Sequence, residues 1–233
     1  MSDKHLSTQF DSDLTHVSTR TMEMGGLVES QIRTAILALT KFSAEKADLV
    51  LATEDQVNTM EMEIDREITS IIGRRQPAAR DLRLLMAISK TITNLERAGD
   101  EANKIAKMVK SIINHGSIRS LPTSDLHVSA DMAVTLLKKS LDAFARLDTN
   151  LALEIMKEDD LIDAEFDGFL RKLVTYMMED PRTISASLDL VFLAKAIERI
   201  GDHAKNIAEF VIYIVKGEDV RHSPIDIVES SIT

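Results

Sequence analysis

The chain has 233 residues, 44% apolar and 28% charged, with a formal charge of −10. That balance fits a globular fold, and the acidity speaks against a nucleic-acid binder, whose footprint is basic. There is no cysteine, which excludes disulfides and thiolate metal sites. Glycine (8), proline (4) and aromatics (4%) are scarce, while Leu, Ile, Ala, Met, Glu and Lys abound, a composition that favours helices over sheets. The first stretch, Met1 to Asp13, is polar and lacks the apolar core of a signal peptide. The run Phe210 to Val215 is far too short to span a bilayer. A cytoplasmic protein is expected, one that could still dock on a membrane complex.

Taken in order, residues 14–43 carry Val17, Met24, Val28, Ile32, Ala35 and Leu39 at steps of seven, four and three, which predicts a helix. A break at Lys41-Phe42-Ser43 precedes a second helical pattern over 45–73. Pro77 is suited to opening a third, because the first turn does not need its missing N–H. This helix runs to the Asn114-His115-Gly116 stop signal. Gly116 to Asp125, with Pro122 and several serines, reads as the linker, and Thr123 or Ser124 as the next cap. Helices over 125–146, 149–179 and 183–216 follow, the last preceded by Asp180-Pro181 and stopped by Gly217. The predicted fold is all-α, with two tandem three-helix bundles related by internal duplication, 8–116 and 124–217, and a loose tail over 218–233.

The duplication is written in one phrase. Glu96-Arg97-Ala98-Gly99-Asp100 returns 102 residues later as Glu198-Arg199-Ile200-Gly201-Asp202. Positions i and i+4 lie about 40° apart on a helix, so Glu96 and Asp100 share a face, as do Glu198 and Asp202. Like charges so placed cost a few tenths of a kcal/mol, which something should offset. Gly99 and Gly201 each cost about 1 kcal/mol inside a helix, which predicts a close approach of backbones. The inward stripe is Leu95, Gly99, Ala102 and Ala106, with the acids at its margin and Arg97 and Arg199 on the far side, in solvent.

The second helix of each half offers further acids: Asp55, Asn58 and Glu61 in the first, and Asp159, Asp160, Asp163, Glu165 and Asp167 in the second. Carboxylates without thiolate suit hard cations such as Mg²⁺ or Mn²⁺, with iron or zinc possible. Acidic helix faces commonly do no more than solvate. The repetition and the embedded glycine favour metal ligation by Glu96, Asp100, Glu198, Asp202 and Asp163. The second set ranks higher, because Asn58 stands where the second half has Asp163, and Lys104 follows Asp100 at i+4 where Asn206 follows Asp202.

Other features carry less. The six histidines show neither HExxH nor Glu-x-x-His, which argues against a di-iron oxidase. His203 reads as a surface group, with a supporting role behind the acids as the alternative. Arg74, Arg75, Arg80 and Arg83 gather around Pro77 and could bind phosphate or an acidic partner, or be charges at a turn. The methionines read as core filler.

Glu-Arg-Ile-Gly-Asp-His-x-x-Asn-Ile-Ala (198–208), its partner at 96–106, and Gln-Pro-x-Ala-x-Asp-Leu-Arg (76–83) resemble the PhoU family, over about residues 8 to 222. The resemblance implies two similar three-helix bundles and metal ions, as iron or zinc clusters, on the E/D-x-x-x-D carboxylates. It implies a regulator that holds the phosphate-starvation regulon off when phosphate is plentiful and restrains uptake. The implied partners are a sensor histidine kinase, the ATPase of the phosphate ABC transporter, and a second copy in a homodimer. It implies no catalytic role. A carboxylate–metal phosphohydrolase and a purely structural helical scaffold are the alternatives. Asn58 and Lys104 depart from the family pattern, which weakens the first site.

Overall fold

The computed structural model describes residues 8–115 and 123–232. Within it the predicted stripe is the inner face of α1 (Thr8–Lys41). Val17, Met24, Val28, Ile32, Ala35 and Leu39 are all fully buried. Each such side chain contributes about 1.5–3 kcal/mol of transfer free energy, where alanine adds less. The helix begins earlier than its periodicity suggested because Phe10 and Leu14 extend the same stripe.

Ser43 separates α1 from α2 (Ala44–Arg75), its Oγ accepting the Lys46 N–H at 3.3 Å. Gln76, in the left-handed region (φ 48°), closes α2. Pro77 then lies in the connector, and α3 (Ala79–His115) opens two residues after it rather than on it. Linker residues 116–122 and His5 lie outside the described residues.

The second half repeats the plan with α4 (Ser124–Arg146), α5 (Thr149–Glu179) and α6 (Ile184–Lys216). Thr123 stands at the α4 cap position without a side-chain bond, and Asp125 lies in the first turn. Asp148 caps α5, accepting from the Asn150 and Leu151 N–H groups at 3.0 and 3.1 Å. Asp180 caps a single 3₁₀ turn, Pro181–Thr183, that leads into α6. Gly217, at φ 83°, ends α6 in a conformation that a side chain would strain.

The segment expected to be a loose tail is structured as far as residue 232. Val220 and Val228 are buried, and α7 (Ile225–Ile232) packs on α5 and α6. Its apolar residues Ile225, Val228 and Ile232 fall at helical spacing, a signal too short to stand out from the chain alone.

The two halves meet chiefly through α3 and α6, the most extensive helix pair in the fold. The pair is antiparallel. Ser111 on α3 donates to Asp189 near the start of α6, while Lys90 near the start of α3 lies over the rings of Phe210 and Tyr213 near the end of α6. A second approach joins α1 to α4, where a Cβ on Gly25 would stand 2.5 Å from a Leu141 methyl. One continuous apolar cluster runs through both halves. Among the described residues no helix is long and apolar enough to cross a membrane.

Candidate carboxylate patches and the central cleft

The repeated phrase sits midway along α3 and α6, and its glycines mark close approaches. A Cβ on Gly99 would stand 2.9 Å from Gln31 Oε1 of α1 and 3.6 Å from Val57 of α2. A Cβ on Gly201 would stand 2.9 Å from Ile162 and 3.2 Å from Asp159, both on α5. Gly201 thus lets α5 press against α6, which brings the acids of α5 to the motif acids, whereas Gly99 makes room chiefly for Gln31 of α1, with α2 in ordinary contact.

In the second half, Glu198 is buried, only 8% exposed. Its Oε1 accepts from Lys195 Nζ at 2.6 Å, and its buried Oε2 has no hydrogen-bond partner. Asp202, one turn on, is half-buried. Burial pushes its carboxyl up to about 6, helped by the negative charges of Glu198, Asp159 and Asp163. The fold therefore brings Glu198, Asp202 and Asp163 into one electrostatic neighbourhood. Asp159 is the buried centre of that neighbourhood. It is 2% exposed, held by Lys205 Nζ at 2.9 Å, and its carboxyl is raised chiefly by burial. Sequence reasoning noted Asp159 but did not select it. Its position, four before Asp163 on the same face, was the available signal.

In the first half, Glu96 is half-buried and its carboxyl is raised by burial, then by Asp100 and Glu61, with Arg97 pulling the other way. Glu61 accepts from Thr93 Oγ1 at 3.0 Å, tying α2 to α3 beside the patch. Glu54 adds a further negative charge. Among the described residues, no three His, Asp or Glu groups are arranged so as to hold a metal ion. The donor chemistry still fits a hard cation: carboxylates crowd together, and one buried oxygen of Glu198 is orphaned.

Several expectations need correction. Lys104 pairs with Glu101 at 2.8 Å, not with Asp100, because Glu101 is buried on the seam and is the better-desolvated partner. His203 is no surface histidine. It is half-buried at the α3–α6 seam, 3.1 Å from Asn94 Oδ1, and burial lowers its pKa to about 4, with Arg97, Arg199 and Lys104 adding to the effect. Of the four arginines around Pro77, Arg80 is exposed and the other three turn to different partners. Arg75 grips Asp13 of α1 at 3.1 Å, Arg74 bonds Ser70, and Arg83 sits under Gly217 at the end of α6. The methionines divide, Met24 being fully buried while Met62 and Met86 are exposed.

Arg97 and Arg199 are exposed as expected, but their side of the motif is not open surface. Antiparallel packing turns both copies toward one cleft of about 940 Å³ between the halves. Equivalent positions of the two copies line it together: Arg97 with Arg199, and Asp100 with Asp202. Farther along, Glu101 answers His203, and Lys104 answers Asn206. Residues 221–225, after α6, close one end.

The PhoU domain model matches residues 21–109 and 127–211, one copy per half. The chain belongs to the PhoU family. It is similar to the phosphate-specific transport system accessory protein PhoU homolog of a Burkholderia species, at 52% identity over 95% of each chain. It is 45% identical to the accessory protein PhoU of Escherichia coli K12, over 94% of this chain and 90% of that one. The crystal structure of PhoU from Pseudomonas aeruginosa superposes with a TM-score of 0.86 at 44% identity, covering 90% of this chain and all of that one. The phosphate transport system regulatory protein PhoU of Streptococcus pneumoniae superposes at 0.84 with 26% identity, covering 91% of this chain and 99% of that one.

Proposed function

We propose that this family member is a cytoplasmic, non-enzymatic negative regulator of the phosphate-starvation response that also restrains phosphate uptake. It acts as an adaptor between the ATPase of a phosphate ABC transporter and a sensor histidine kinase, and it works as a homodimer. The observation that supports this reading best is end-to-end similarity, at 45–52% identity, to accessory proteins of phosphate-specific transport. Coupling of this kind requires that the adaptor bind different states of its partners unequally.

The same reading gives the acids a role. Glu198, Asp202 and Asp163, and in the first half Glu96 and Asp100, would hold divalent cations such as Mg²⁺ or Mn²⁺, or iron or zinc. When bound, the cation supplies positive charge that relieves carboxylate repulsion. Glu198 offers its unpartnered Oε2, and Lys195 must cede the other oxygen or share it. The first site is the weaker, since Asn58 replaces an acid.

Purified protein should bind both the transporter ATPase and the cytoplasmic half of the kinase. Absence of binding to either partner would overturn the adaptor reading. Metal analysis of untagged protein prepared without chelator should find a cation that E198A/D202A loses.

A further inference from the structure

The central cleft adjoins both acidic patches, since Asp100 and Asp202 line it, and the cations along it are unevenly matched. Lys205 is satisfied by Asp159 at 2.9 Å, and Arg221 by both oxygens of Asp219. Lys104 is satisfied by Glu101 at 2.8 Å. Arg199 reaches the same Glu101 oxygen only at 3.5 Å, a long ion pair at the limit of a hydrogen bond. Arg97 has no ion-pair or hydrogen-bond partner among the described residues, although it lines the same cleft. The cations left without a close counter-ion, Arg97 and in part Arg199, therefore lie where the two copies of the motif face each other.

Five carboxylates also line the cleft, Asp100, Glu101, Asp160, Asp202 and Glu209, but among the described residues none of them forms an ion pair with Arg97. Asp202 is drawn into the crowded carboxylates of its own half, where Glu198, Asp159 and Asp163 act on it. Glu101 is already shared between two cations. The His203 imidazole and the Asn206 amide line the same cleft. Guanidinium groups present paired N–H donors in a plane, which matches two oxygens of a tetrahedral oxyanion. Two of them on facing helices, lining one cleft, suit an anion with several oxygens better than a single carboxylate. The hollow has room for such an anion together with water or a larger attached group.

We propose that the cleft binds a phosphate group between Arg97 and Arg199, either as free inorganic phosphate or as the end of a phosphate monoester. The duplication then has a use beyond symmetry, because each half contributes one arm of the receptor. The site deepens the regulatory reading and rests on it for its meaning, but binding itself can be measured without any partner.

The test is calorimetric titration of the full, chelator-treated chain at low ionic strength, first with inorganic phosphate and then with O-phosphoserine. Removing metal keeps the acidic patches from bridging to the anion. Saturable binding of at least one ligand is expected, weakened at least tenfold by R97Q or R199Q and unchanged by R182Q, a surface control paired with Asp180. R97K/R199K retains the charge but loses the fork, and should also weaken binding while leaving the melting curve unaltered. The ligand that binds more tightly identifies the source of the phosphate. No saturable binding of either ligand, or equal binding by the R97Q/R199Q double variant, would overturn the site. Neither result bears on whether the protein represses the starvation response, which is read in cells.

Discussion

Asn206 of α6 donates from Nδ2 to Oδ1 of Asn94 on α3 at 3.0 Å, and His203 meets the same oxygen through Nδ1 at 3.1 Å. Asn94 Nδ2 itself donates to the Lys90 carbonyl at 2.9 Å, which fixes the amide and leaves Oδ1 as the acceptor. The imidazole must therefore carry a proton on Nδ1. The motif asparagine of the second half thus serves the joint between the halves. Asn94→Ala removes one partner from each of two half-buried groups and should cost about 1–2 kcal/mol. The shift in urea midpoint at constant slope measures it.

Gly201 and Gly168 give a paired test of the close approach. A Cβ at 201 would meet Ile162 at 2.9 Å and Asp159 at 3.2 Å, whereas one at 168 on α5 meets nothing within 4 Å. Gly168→Ala should stabilise by about 0.5–1 kcal/mol through helix propensity. Gly201→Ala should destabilise by about 1–2 kcal/mol despite the same gain, because the Ile162 side chain and the Asp159 carboxylate held by Lys205 must both be displaced. Denaturant unfolding of the two variants should move in opposite directions.

Lys205 is the counter-charge for a carboxylate that is only 2% exposed. Lys205→Ala leaves Asp159 buried, charged and next to other acids, and should cost about 3 kcal/mol near neutral pH. The loss should shrink as the pH falls and Asp159 takes up a proton, since its carboxyl is already raised by burial. Thermal melts of the variant and the parent at several pH values should converge on the acid side.

Glu209 titrates near neutrality. Burial pushes its carboxyl up to about 7, opposed by Lys205 and Arg221 and assisted by Asp219 and Asp159. An unfolded glutamate titrates near 4.3. Between these values the folded protein holds a proton that the unfolded chain gives up. The stability this contributes is complete below the unfolded value and is lost as the pH rises through about 7. Glu209→Gln should therefore flatten the pH dependence of the melting temperature between pH 5 and 8 and raise it at the alkaline end. A variant with the parent's slope would show that another group controls this range.

The helices, their order and the duplication were legible because long amphipathic stripes and a repeated phrase are local signals. Val17 to Leu39 define the inner face of α1 without any knowledge of its neighbours. The glycines could be read as close approaches because their cost within a helix demands a reason. What the chain did not disclose is how α3 and α6 are opposed. That antiparallel seam moves Arg97 and Arg199 from apparent solvent into a shared cleft and buries His203 against Asn94. Pairings such as Lys205 with Asp159 depend on the distance between two helices, which no periodicity encodes.

The central claim, that this protein holds the phosphate-starvation response off, is tested most directly in cells lacking it. Alkaline phosphatase activity is measured during growth in excess phosphate. The account predicts high activity without the protein and repression on return of the intact chain. Activity that stays repressed in its absence would contradict the claim.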